Sequence, residues 1–148
     1  MSPSERLAEL EDGKNPAMVT RLPSGYVVLA DNQFLPGYCL LLAYPMMGQL
    51  NDLEGAARSR FLEDMALVGD AVRRATNCKR INYSIYGNLD PFLHVHIIPR
   101  YDWEDPAYAT KPPMQIPNSV KQGHDFSLEK HSELLDKLRF QLETDREP

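Results

Sequence analysis

The chain has 148 residues, enough to bury a core as one domain without disulfides or a structural metal. A formal net charge of −5 argues against a nucleic-acid-binding surface, and two cysteines, Cys39 and Cys78, with no C-x-x-C spacing suit a reducing cytoplasm. No apolar run is long enough to span a membrane, and Met1-Ser2-Pro3-Ser4-Glu5 lacks the charged and apolar regions of a signal peptide, so a soluble intracellular protein is expected.

In chain order, Ser4 followed by Glu5-Arg6-Leu7-Ala8-Glu9-Leu10 reads as a capped short helix closed by Gly13. Met18 to Arg21 and Tyr26 to Ala30 read as strands separated by a turn at Pro23-Ser24-Gly25. A polar break at Asp31-Asn32-Gln33 and a turn at Pro36-Gly37 lead into Tyr38 to Ala43, a third strand buried on both faces. From Asn51 the apolar period lengthens to about 3.6. Ala57, Phe61, Met65, Val68, Val72 and Ala75 then form one stripe of a long helix, with Asp52 as its cap. Asp52 and Glu54 suit the positive end of that helix dipole, and Arg73 and Arg74 suit the negative end.

Arg80 to Tyr86 reads as a fourth strand, and Gly87-Asn88-Leu89-Asp90 as a loop into a fifth, from Pro91 to Pro99 within the stretch Asp90 to Tyr101, that pairs antiparallel with it. The fifth strand alternates. Phe92, His94, His96 and Ile98 share one face, while Leu93, Val95 and Ile97 share the other and pack. Pro91 fits its start and Pro99 its end, places that need no ladder donor. Trp103 to Pro117 holds four prolines and reads as an irregular surface arm. Ser127 caps a last helix whose Leu128, Leu135, Leu138 and Leu142 follow helical spacing, with Leu134 beside them. The fold class is therefore α+β, an antiparallel sheet of about five strands covered by a long helix.

Two of the chain's four histidines lie in His94-Val95-His96. Three chemistries suit them. They are polar strand residues, or two ligands of a metal whose third ligand comes from His124 or His131, or a covalent catalyst in which one imidazole attacks an acyl or phosphoryl centre and its neighbour manages protons.

Asn82-Tyr83, Gly87-Asn88 and the run Pro91-Phe92-Leu93-His94-Val95-His96-Ile97-Ile98-Pro99-Arg100-Tyr101 resemble the histidine triad family. Pro36-Gly37-Tyr38 with the strand after it and the long helix fit the same layout, so the resemblance covers roughly residues 15 to 101 of a single domain, leaving an arm and helix from 102 to 148. It implies a homodimer with paired sheets that hydrolyses or transfers nucleotidyl groups from dinucleoside polyphosphates, nucleoside phosphoramidates or similar adducts. His94 matches the nucleophile that takes up the α-phosphate, and His96 the histidine that contacts the phosphate and assists the leaving group. No metal or other cofactor is required by this scheme.

The chain departs from the family at two places, since Phe92 replaces the first triad histidine and Tyr38 the histidine after the upstream glycine. In relatives the backbone carbonyl at the position of Phe92 holds the nucleophile's other ring nitrogen, which phenylalanine retains, and a tyrosine hydroxyl substitutes in part at residue 38. The same resemblance puts Asn88 near the phosphate, Asn82 on the leaving side and Asp31 and Asn32 at the ribose. For each of these the plainer reading is a turn or strand-edge residue. Arg100 either approaches a phosphate or braces the arm, and Tyr101 and Trp103 pack that arm. The rival class is a non-catalytic nucleotide-binding module with a degenerate triad.

Overall fold

A computed structural model of the chain describes residues 3–146. Its elements are α1 (Pro3–Glu11), β1 (Met18–Leu22), β2 (Gly25–Leu29), β3 (Cys39–Ala43), α2 (Gly55–Ala75), β4 (Arg80–Ser84), β5 (His94–Arg100), α3 (Asn118–Lys121) and α4 (Leu128–Arg146). The strands form one antiparallel sheet in the order β1-β2-β3-β5-β4. This is the α+β architecture the residue pattern calls for.

Alternation decides what each face does. Val19, Val27, Leu29, Leu41, Val95 and Ile97 point to one side, where Phe61, Val68 and Val72 of α2 and Leu135, Leu138 and Leu142 of α4 close the main core. At about 25 cal/mol per Å² of apolar surface removed from water, this layer is the principal source of stability. The other face is covered only towards its ends. Leu7 and Leu10 of α1 pack on Tyr26, Val28, Leu42 and Phe92, while Phe34, Leu35, Ile98, Tyr101 and Ile116 gather under the arm. His94 and His96 lie on this second face.

Local devices set the ends of the elements. Gly13, at φ 70°, closes α1 with Lys14 N–H donating to the Glu9 carbonyl and Gly13 N–H to the Leu10 carbonyl. The expected Ser4 cap lies outside the described side chains. Ser127 caps α4 through a hydrogen bond from Lys130 N–H to its Oγ at 3.2 Å. A β-carbon on Gly25 would fall 1.9 Å from the Leu42 carbonyl oxygen, so β2 and β3 approach there only because the residue is glycine.

Several boundaries differ from the sequence reading. Asp52 does not cap α2, because Leu50–Asp52 forms a separate 3₁₀ turn in which Gln49 Nε2 donates to the Asp52 carboxylate, and the cap position falls to Glu54. Ala57 and Leu128 are exposed, each in the first turn of its helix and ahead of the packed stretch. β5 begins at His94, because Phe92 N–H turns back to the Asp90 carbonyl across Pro91. It also continues through Pro99, which pairs with Ile81 beyond the last β3 partner, Cys39↔Ile97. β4 stops at Ser84, its last partner on β5 being His96, so Ile85 and Tyr86 leave the sheet. The arm is not wholly superficial. Pro113 and Ile116 are buried, and Asn32 pairs with Asp125 in an isolated bridge.

Candidate active site

β5 lies between β3 and β4, so its outward side chains stand mid-sheet on a rigid strand. Their register opposes His94 to Leu42 and His96 to Leu40. The two imidazoles have centroids 5.2 Å apart. His94 is 8 % exposed, and its Nδ1 lies 2.8 Å from the Phe92 carbonyl oxygen. A carbonyl only accepts, so Nδ1 carries the hydrogen and Nε2 keeps the lone pair. The Phe92 ring stacks on the imidazole, with centroids 4.7 Å apart and planes at 28°.

His96 has a different partner. The Tyr38 hydroxyl lies 2.7 Å from its Nδ1. Burial, and then Tyr86, push the Tyr38 phenol up to about 12, so it keeps its proton near neutral pH and donates it to Nδ1. Burial, and then the neighbouring His94, pull His96 down to about 4, so the ring is neutral and its own hydrogen sits on Nε2. The pair thus offers a lone pair on one Nε2 and a hydrogen on the other.

Tyr38 is held by the loop before β3. Gln33, fully buried, donates from Nε2 to the carbonyls of Ala30 at 3.0 Å and Tyr38 at 2.9 Å and accepts from Gly37 N–H at 3.0 Å. Tyr101 Oη donates to the Pro36 carbonyl and ties the same loop to the residue after β5.

A cavity of about 400 Å³ opens over this part of the sheet. Asn82, Ser84, His96 and Ile98 line it from the strands, Ala30, Asn32, Phe34 and Tyr38 from the loop side, and Pro112, Pro113, Met114 and Lys121 from the arm, with Tyr83 and Tyr86 at the end of β4. The lining stops at His96. His94 lies one side-chain step further along β5, against Phe92.

The expected site residues divide. Tyr38, Asn82, Asn32 and His96 meet in the cavity. Asn82 Oδ1 accepts from Arg100 Nη1 at 3.3 Å. Asn32 is also the turn residue of the plainer reading, since its Oδ1 accepts from Phe34 N–H and its Nδ2 donates to the Lys121 carbonyl and to Asp125. Asp31 and Asn88 are exposed and lie outside the lining. Of the two roles open to Arg100, the structure gives the brace. The residue is 5 % exposed, and its guanidinium donates to Glu104, Asn82 and the carbonyls of Lys111, Tyr108 and Ala109, leaving no N–H for a phosphate.

Sequence reading did not single out Gln33, Ser84, Tyr86 or Lys121. A buried glutamine leaves no periodic trace, and the arm residues are separated from the histidines by an irregular stretch. For the metal alternative, neither His124 nor His131 joins the pair among the described residues. His131 Nδ1 takes the Ser127 N–H at 3.0 Å, His124 lines a separate cavity beside Trp103, and among the described residues no group of three His, Cys, Asp or Glu is placed to hold a metal ion.

The HIT domain profile matches residues 13–103, and the chain belongs to that family. Its fold is shared with a histidine triad protein from Bradyrhizobium japonicum, at 23% identity over 91% of this chain and 95% of the other, TM-score 0.71. A histidine triad protein from Sinorhizobium meliloti 1021 superposes with TM-score 0.73 at 19% identity, covering 93% of each chain. A hypothetical histidine triad nucleotide-binding protein from Sulfolobus tokodaii does so with TM-score 0.70 at 14% identity, covering 93% of this chain and 91% of its own. No curated protein matches the sequence. HIT proteins generally bind nucleotides and act on nucleotide phosphates. No helix among the described residues is long and apolar enough to cross a membrane.

Proposed function

We propose that the protein is a nucleotidyl hydrolase or transferase acting on dinucleoside polyphosphates, nucleoside phosphoramidates or similar adducts through a covalent His94 intermediate. The observation that carries this reading is the 2.8 Å contact between His94 Nδ1 and the Phe92 carbonyl, which keeps the Nε2 lone pair free although the first triad histidine is absent. In the first step Nε2 forms a bond to the α-phosphorus as the bond to the leaving group breaks, and the positive charge left on the ring is stabilised by the same carbonyl. His96 Nε2–H donates a hydrogen bond to a phosphoryl oxygen and so stabilises the charge that builds as the leaving group departs, which leaves as its anion or takes its proton from water. Water then attacks the phosphohistidine, its hydroxyl going to phosphorus and its proton to solvent, which releases the nucleotide and restores the Nε2 lone pair of His94. Asn82 and Ser84 border the same cavity as further donors.

The test is incubation of wild-type and His94→Ala protein with diadenosine polyphosphates and adenosine phosphoramidate, following AMP release and trapping a phosphohistidine adduct. Release by the wild type alone is expected; equal release by the variant removes His94 from the chemistry.

A second reading, a binding module without turnover, is favoured by one observation: the Phe92 ring lies stacked on His94, which is only 8 % exposed. It requires that nucleotide raise the melting temperature of both proteins with no product formed. We also propose a cytoplasmic homodimer. Its support is that β4 forms a sheet edge with Tyr83 exposed on it and Tyr86 exposed just beyond. Light scattering that returns the mass of one chain disposes of the dimer.

A further inference from the structure

The cavity has a second end that the histidine chemistry does not use. Side chains on one face of a strand recur about every 6.8 Å, so His94, His96 and Ile98 mark successive steps along β5, the last two on the cavity floor. Ile98 packs with Phe34, and Lys121 Nζ stands 5.4 Å from the centre of the Phe34 ring. Lys121 is therefore at the end remote from His94. Of the residues that line the cavity, it alone carries a formal charge, in a chain whose net charge is −5. Its ammonium has no hydrogen bond or ion pair to any described residue and stands over the Phe34 ring.

Lys121 is not carried there on a loose segment. Asn32 Nδ2 donates to the Lys121 carbonyl at 2.9 Å, Gln33 N–H to the His124 carbonyl at 2.7 Å, and Phe126 N–H to the Asp31 carbonyl at 2.8 Å. These bonds fasten α3 and the residues after it to the loop that also presents Asn32 and Phe34. The segment lies beyond the HIT domain match, which ends at residue 103, so this wall belongs to the part of the chain outside the matched domain.

An ammonium has three donors and no acceptor, so it rewards an oxygen at this end and opposes an amino group there. We propose that Lys121 is a specificity-determining residue that donates to an oxygen acceptor carried by the nucleotide at the end remote from the scissile phosphate. This rests on the nucleotide reading above. Two sources supply such an oxygen, a carbonyl on the base or a second phosphate on the ribose.

The experiment is calorimetric titration of wild-type and Lys121→Met protein with AMP, IMP and adenosine 3′,5′-bisphosphate. IMP replaces the amino group of AMP by a carbonyl, and the bisphosphate adds the second phosphate. Methionine keeps much of the stem without the charge, and Lys121→Gln serves if the first variant does not fold. IMP or the bisphosphate should bind the wild type about tenfold or more tighter than AMP, as a charge-assisted bond supplies. The variant should lose that advantage while its affinity for AMP stays within about twofold. Whichever ligand wins names the source. Equal binding of all three by the wild type, or an advantage that survives in the variant, overturns the proposal. Failure of folded wild-type protein to bind any of the three overturns the nucleotide reading, and the proposal with it.

Discussion

The Tyr38 hydroxyl and His96 Nδ1 lie 2.7 Å apart, and this single bond sets the tautomer of the second imidazole. It does for His96 what the Phe92 carbonyl does for His94, with opposite sign, because a phenol donates where a carbonyl accepts. Tyr38→Phe keeps the ring and removes the donor. The expected result is a fall in kcat of about 10–100-fold with KM little changed, measured on AMP release from adenosine phosphoramidate. A raised KM at unchanged kcat would make Tyr38 a binding residue only.

The depressed His96 also makes stability depend on pH. Its folded value is about 4 against about 6.5 for an unfolded histidine. Between those values the unfolded chain binds the extra proton and the folded chain does not, so stability is fully present above about pH 6.5 and is lost as pH falls towards 4. The ring is half-buried, and solvent screening reduces the contribution to about 1–2 kcal/mol. In urea unfolding at steps from pH 7 to 4, the wild type should lose about 1–2 kcal/mol more than His96→Gln protein. Parallel curves would mean that the ring titrates normally.

Arg100 and Glu104, with side chains 6% and 5% exposed, form a two-pronged pair that also gathers three carbonyls of the arm. Removing one partner leaves the other charge buried, which costs about 3–5 kcal/mol. Glu104→Ala should therefore lower the melting temperature and open residues 105–117 to protease. Unchanged cleavage there would show that the apolar contacts of Ile116 hold the arm unaided.

Asp64, fully buried on α2, accepts from Ser24 N–H at 3.0 Å and Ser24 Oγ at 2.6 Å, and its other oxygen faces Arg60 Nε at 3.1 Å. That oxygen has no aligned hydrogen bond, so the contact with Arg60 is an ion pair by proximity only, and the Ser24 contacts carry the site. Asp64→Ala strands the turn between β1 and β2 without its acceptor and should cost about 2–4 kcal/mol in urea unfolding. Ser24→Ala, which keeps the backbone bond, should cost about 1 kcal/mol. If the two variants are equally unstable, the hydroxyl rather than the carboxylate's backbone bond holds the turn.

What the sequence determined by itself rests on short-range periodicity. Alternation separated Leu93, Val95 and Ile97 from His94 and His96, and the packed face is the one that carries no imidazole. A 3.6 period located α2 and α4, and the hydrogen on His94 Nδ1 did not need a histidine at residue 92, because every residue supplies a carbonyl. Only the tertiary structure decided the rest. Arg100 and Asp64 are charged residues that a pattern assigns to solvent, yet partners 4 and 40 positions away make their burial tolerable. Lys121 reaches the cavity through backbone bonds between loops some 90 positions apart. Periodicity records which way a side chain leaves its own strand or helix; which distant groups satisfy it is fixed when the chain closes on itself, since a buried polar atom is stable only where a partner stands within hydrogen-bond reach.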